Sequence, residues 1–120
     1  MGRAVLLRHE LPDGSVHFDW MIQPRAGAGL ITFRVGVRID QPGVRSFGAQ
    51  RLVRHREAYL DYQGPVSADR GTVARVAEGT LEIEVDSDRE FACRGELAGV
   101  HVCFRGLAAG DGWKFLVEAE

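Results

Sequence analysis

Ala4-Val5-Leu6-Leu7-Arg8-His9-Glu10, Leu11-Pro12-Asp13-Gly14-Ser15 and Val16-His17-Phe18-Asp19-Trp20-Met21-Ile22 follow one another without a break, and this stretch decides the fold. The outer two pieces are short and rich in aliphatic and aromatic residues, as strands are. Between them Pro12 presets φ and Gly14 admits a positive φ, which makes a turn. Together they predict a hairpin. Side chains alternate faces along a strand, so His17 and Asp19 share one face and Met21 continues it. His9 ends the partner strand, and the turn brings it towards His17.

Outward from this hairpin the pattern stays mostly strand, punctuated by glycine. Gln23 to Gly29 is a Pro/Gly/Ala loop, and Leu30 to Ile39 predicts a further strand. Asp40 to Gln50 looks like loop. Arg51 to Glu57 is a basic segment leading into a core strand at Ala58 to Tyr62, closed by a turn at Gln63-Gly64-Pro65. Ser67 to Gly71 is a polar loop, Thr72 to Val76 a strand, and Glu78-Gly79 a turn. Leu81, Ile83 and Val85 alternate with Glu82, Glu84 and Asp86, the pattern of a half-buried strand. Phe91 to Glu96 and Val100 to Leu107 flank Leu97-Ala98-Gly99 as another hairpin, and Trp113 to Val117 is the last strand. No stretch carries a long helical period. The expectation is an all-β single domain over residues 1–120, a β-barrel or sandwich of short antiparallel strands with little helix.

Composition narrows the classes. The chain has 120 residues, which suits one domain and a modest core. Hydrophobic content of 45% and charged content of 27% are ordinary for a soluble globular protein. No apolar run approaches the roughly 20 residues of a membrane helix. Ala4 to Leu7 is too short an apolar core for a secretory leader, so a cytoplasmic protein without membrane contact is expected. Net charge is −2, which predicts little non-specific attraction to polyphosphate. Lys114 is the only lysine; every other cationic side chain is arginine, which grips phosphate bidentately. Cys93 and Cys103 face each other across one predicted hairpin. Without a CxxC spacing they predict reduced thiols rather than a zinc site.

Two constellations carry chemistry. His9, His17 and Asp19 offer two imidazoles and a carboxylate on one sheet patch, ligand types that suit manganese or zinc. His55 and Tyr59 sit among Arg51, Arg54 and Arg56. Histidine can act as acid or base, and the tyrosine hydroxyl can donate to a phosphate oxygen. Tyr62 and Trp113 are assigned to the core, His101 to a strand without a role, and the acidic run Glu82, Glu84, Asp86, Asp88 to a solvated face.

Leu6-Leu7-Arg8-His9, His17-Phe18-Asp19, His55-Arg56-Glu57-Ala58-Tyr59-Leu60-Asp61-Tyr62-Gln63-Gly64-Pro65-Val66 and the tail Leu97-Ala98-Gly99-Val100-His101-Val102 with Gly112-Trp113-Lys114-Phe115-Leu116 occur in this order. In that order the chain resembles the 3′-phosphoesterase domain of bacterial DNA ligase D, as a stand-alone, divergent member. The resemblance covers nearly the whole chain.

It implies a compact β-barrel with a crescent-shaped groove. It also implies a manganese-dependent activity on 3′ ends of DNA or of RNA–DNA strands, removing a 3′-phosphate or a terminal ribonucleotide in end processing and repair. By matching position, His9, His17 and Asp19 would hold the metal, and His55 and Tyr59 would contact the scissile phosphate. Separate ligase or repair proteins would complete the pathway. Two departures stand out. Leu11 to Ser15 lengthens the gap between the first two histidines, which a hairpin tip absorbs. Met21 stands where the family has an arginine that clamps phosphate, a role expected here of Arg54 or Arg51. The alternative is a non-catalytic descendant that binds metal or nucleic acid.

Overall fold

The computed structural model of the chain describes residues 2–118. Among the described residues nine strands are present: β1 (Gly2–Glu10), β2 (Val16–Ile22), β3 (Leu30–Val35), β4 (Ser46–His55), β5 (Gly64–Pro65), β6 (Thr72–Asp86), β7 (Glu90–Leu97), β8 (Val100–Ala109) and β9 (Gly112–Glu118). They join antiparallel in the order β1-β2-β3-β4-β9-β8-β7-β6, and β6 returns to β1 to close an eight-stranded barrel. The two-residue β5 lies beside the start of β6. Closure removes the sheet edges that would otherwise invite pairing with other chains. The all-β reading stands as a barrel. Among the described residues no helix is long and apolar enough to cross a membrane.

Alternation explains what fills the barrel. Leu6, Trp20, Ile22, Phe33, Phe47, Leu81, Phe91, Phe104 and Phe115 point inward. Trp20 lies at the centre, with the rings of Phe33, Phe47, Phe91, Phe104 and Phe115 all within 6.2 Å. The predicted hairpins form where turn chemistry asks for them. Gly14 (φ +88°) shapes the first tip, where the Ser15 amide and hydroxyl both donate to Asp13 Oδ1. Ala98 and Gly99, with φ of 54° and 78°, make the tight turn between β7 and β8.

Five expectations need correction. Ser46–His55 is one strand, not a loop into a basic segment. The inward position after Phe47 and Ala49 is Arg51, which hid the alternation. Its guanidinium lies 5.3 Å from the Phe33 ring, 5.6 Å from Phe91 and 5.8 Å from Trp113, and it pairs with Asp86 at 2.8 Å. Arg51 therefore caps the barrel mouth. Thr72–Asp86 likewise runs unbroken through Glu78-Gly79. Gly79 is paired on both edges, and a Cβ there would meet the Glu96 carbonyl oxygen at 2.0 Å, so this glycine permits a close approach of backbones.

The third strand ends at Val35, and Ile39 is buried from the loop that follows. Ala58 to Tyr62 is no core strand: Glu57–Leu60 forms one 3₁₀ turn, and Tyr62 is 38% exposed with its hydroxyl donating to the Pro65 carbonyl. Cys93 and Cys103 occupy adjacent strands but opposite faces. Cys93 pairs with inward Phe104 while Cys103 pairs with exposed Arg94, so the two side chains leave the sheet on opposite faces, and no disulfide joins them. Burial also pushes the Cys93 thiol well above the ordinary range.

The segment from Arg56 to Gly71 crosses the outside of the barrel as a strap over β1 and β2. Leu60, Tyr59 and Val66 pack there on Val5, Leu7, Met21, Leu30 and Val73, a second apolar cluster on the outer face. Arg3 holds the strap through both oxygens of Asp61 (2.8 and 3.3 Å). Arg75 holds it through the Leu60 carbonyl at 3.2 Å.

Candidate metal centre

In the ladder between β1 and β2, His9 lies directly opposite His17 and Leu7 opposite Asp19. Period two then places His9, His17 and Asp19 on the outer face. Their rings and carboxylate converge: the imidazole centroids are 4.7 Å apart, His9 Nδ1 is 3.2 Å from Asp19 Oδ2, and His17 Nε2 is 3.4 Å from Asp19 Oδ1. One ligand atom from each residue falls within 4.8 Å of the others. Bonds of about 2.1 Å from one cation put neighbouring ligands roughly 3.0–3.4 Å apart, which the two histidine–carboxylate distances match, each to a different Asp19 oxygen, while the set as a whole spans up to 4.8 Å.

The donor chemistry points the same way. Asp19 is 4% exposed, and its Oδ1 and the His17 Nε2 are both buried without a hydrogen-bond partner. An unmatched buried polar group costs on the order of 1–3 kcal/mol. His9 Nε2 lies 2.6 Å from the Arg70 carbonyl oxygen. A carbonyl only accepts, so Nε2 carries a proton, and Nδ1 faces the Asp19 carboxylate at 3.2 Å, a gap that either a proton or a cation on Nδ1 bridges. A cation among these atoms would partner both orphaned groups and sit between Nδ1 and the carboxylate. Burial holds the His17 imidazole below its ordinary value; Arg34 and His9 push the same way, against the pull of Asp19. A neutral imidazole is the form that ligates. The residues present therefore fit a divalent metal.

Arg34 completes this corner. It sits opposite Asp19 in the ladder between β2 and β3, with Nε 4.0 Å from Asp19 Oδ1 and no hydrogen bond on that Nε. Sequence reasoning missed it. The only signal was an arginine on an outward position of the next strand, and using it required the register.

An open cleft of about 430 Å³ runs from this corner under the strap. Its lining includes His9, Asp19 and Arg34 from the metal corner, His55, Tyr59, Arg54 and Arg56 from the end of β4 and the strap, and Met21 and Val73. His17 lies outside this lining and faces a shallower hollow beside Arg34 and Gln50. Five of the six expected site residues thus share one cleft. The Tyr59 ring packs edge-on to His55 at 6.0 Å, and His55 Nδ1 is 3.0 Å from the Val53 carbonyl. Arg54 donates to the Ala28 carbonyl at 2.9 Å. Arg51 does not reach the cleft, since it is turned into the barrel mouth. Met21 is 1% exposed in the outer apolar cluster, and the cation beside Asp19 comes from Arg34 instead. The net charge of −2 conceals this local cluster of arginines around a single aspartate.

No family model and no curated protein matches this chain.

Proposed function

We propose that this protein is a metal-dependent phosphoesterase that trims 3′ ends of DNA, removing a 3′-phosphate or a terminal ribonucleotide. The observation that carries the reading is the convergence of His9, His17 and Asp19, with two orphaned ligand atoms, beside an arginine-lined cleft that also holds His55 and Tyr59. Manganese is the ion implied by the resemblance to ligase D phosphoesterase domains, with zinc the alternative; bound there, it would act as a Lewis acid on a phosphoryl oxygen and orient a nucleophilic water.

The chain's own residues then divide the work. Arg34, beside Asp19, offers a guanidinium to the non-bridging oxygens as charge develops on them. The Val53 carbonyl holds the Nδ1 proton of His55, which leaves Nε2 to take up a proton or, once protonated, to donate to the leaving oxygen. The Tyr59 hydroxyl donates to the same phosphate. Arg54 and Arg56, on the rim, meet the phosphates of the strand, which fix its position without reading its sequence.

The test is release of phosphate from a 3′-phosphate primer-template with manganese. Wild type is expected to exceed a His17→Ala, Asp19→Ala double variant by at least about 10²-fold, the scale of losing a charge-stabilising centre. Equal rates overturn the reading. Met21 favours a second one, a descendant that binds metal or a nucleic-acid end without turnover, because an apolar, buried side chain stands where a clamp is expected. Manganese binding by calorimetry with no hydrolysis of 3′-phosphate or 3′-ribonucleotide ends would select it.

A further inference from the structure

We propose that the Ser67–Gly71 turn is the positioning element of this centre and that it acts through the main-chain carbonyl of Arg70 on His9; the inference rests on the metal reading above. The carbonyl oxygen lies 2.6 Å from His9 Nε2, so it fixes both the tautomer and the angle of the ring. Metal-bound histidines characteristically donate their other N–H to such a group, and loss of that partner costs about 10–100-fold in metal affinity.

The turn is built to hold that oxygen in place. Ala68, Asp69 and Gly71 all have positive φ, and the Val66 amide donates to the Gly71 carbonyl at 2.7 Å. The Arg70 guanidinium folds back, donating from Nε to the Ser67 carbonyl at 2.9 Å and from Nη2 to Ser67 Oγ at 3.0 Å. Its side chain therefore closes the turn, while its carbonyl serves the centre. Gly71 (φ +94°) is the residue that allows the approach: a Cβ there would lie 2.0 Å from the Glu10 carbonyl oxygen. The next two residues, Thr72 and Val73, pair with Glu10 and His9, so one ladder carries both the ligand and the group that aims it. A cation on Nδ1 draws electron density from the ring and strengthens the Nε2–H donor. Metal and turn must then stabilise each other by the same factor.

Calorimetric titration with manganese and with zinc tests this on wild type, Gly71→Ala, Gly43→Ala and His17→Ala. Gly43 has a comparable φ of +92° but open space around it, and it lines a different hollow, so it controls for backbone strain alone. The expected result is about a 10–100-fold loss of affinity in G71A, wild-type affinity in G43A and no binding in H17A. Wild-type affinity in a folded G71A, with binding lost in H17A, overturns the positioning role and leaves the metal reading standing. Absence of binding in wild type overturns both. Should G71A fail to fold, hydrogen exchange of the wild-type Val66 amide decides: slowing by saturating manganese supports the proposal, and an unchanged rate overturns it.

Discussion

The two faces of the β1–β2 hairpin obey opposite rules. Inward, Leu6, Trp20 and Ile22 are fully buried among aromatic rings, and the Trp20 Nε1 is the polar atom there that lacks a hydrogen bond. Outward, alternating with them, His9, His17 and Asp19 leave a buried carboxylate oxygen and a buried imidazole nitrogen 3.4 Å apart, neither with a hydrogen bond. The same hydrogen-bonded ladder serves both, because period two lets adjacent residues work for different ends. The inner face builds a close-packed core. The outer face holds polar groups whose demand for a partner is unmet, as is expected where stability is traded for function.

Substitution tests the contrast most strongly. Trp20→Ala removes the ring at the centre of the core and is expected to cost about 3–5 kcal/mol in denaturant unfolding. Asp19→Asn keeps the shape but removes the carboxylate that His9, His17 and Arg34 face, and without metal it should change stability by less than about 1 kcal/mol, or raise it. A loss from Asp19→Asn as large as that from Trp20→Ala would erase the distinction between the two faces.

Acidity sharpens it with a smaller effect. Burial holds His17 below the ordinary value of 6.5. Between that lowered value and 6.5 the unfolded chain binds the proton and the folded protein does not. Stability then falls as pH drops below 6.5, and it levels off once the folded imidazole protonates too. Metal-free protein unfolded at a series of pH values should show this slope, and His17→Gln should flatten it by the share that one proton contributes. An unchanged slope in the variant assigns the effect to other groups.

Local geometry decided how much of this was legible. The hairpin at Ala4 to Ile22 and the turn at Ala98-Gly99 follow from residues a few positions apart, and so does the grouping of His9, His17 and Asp19. Strand β4 was hidden because its inward Arg51 breaks the apolar alternation, and that placement makes sense only once three rings from β3, β7 and β9 surround it. Gly79 resembled a turn because the close approach of Glu96 that demands a glycine is non-local. Arg34 and the Arg70 carbonyl were out of reach for the same reason. One depends on the register between β2 and β3, the other on a strap that returns from residue 56 to residue 71 across the outer face.

The proposed phosphoesterase chemistry requires a metal ion among His9, His17 and Asp19. Crystals grown with manganese, measured at a wavelength where manganese scatters anomalously, test it most directly. One strong anomalous peak is expected within coordinating distance of His9 Nδ1, His17 Nε2 and the Asp19 carboxylate, with His9 Nε2 still bonded to the Arg70 carbonyl. Manganese at saturating concentration with no peak between these three residues would contradict it.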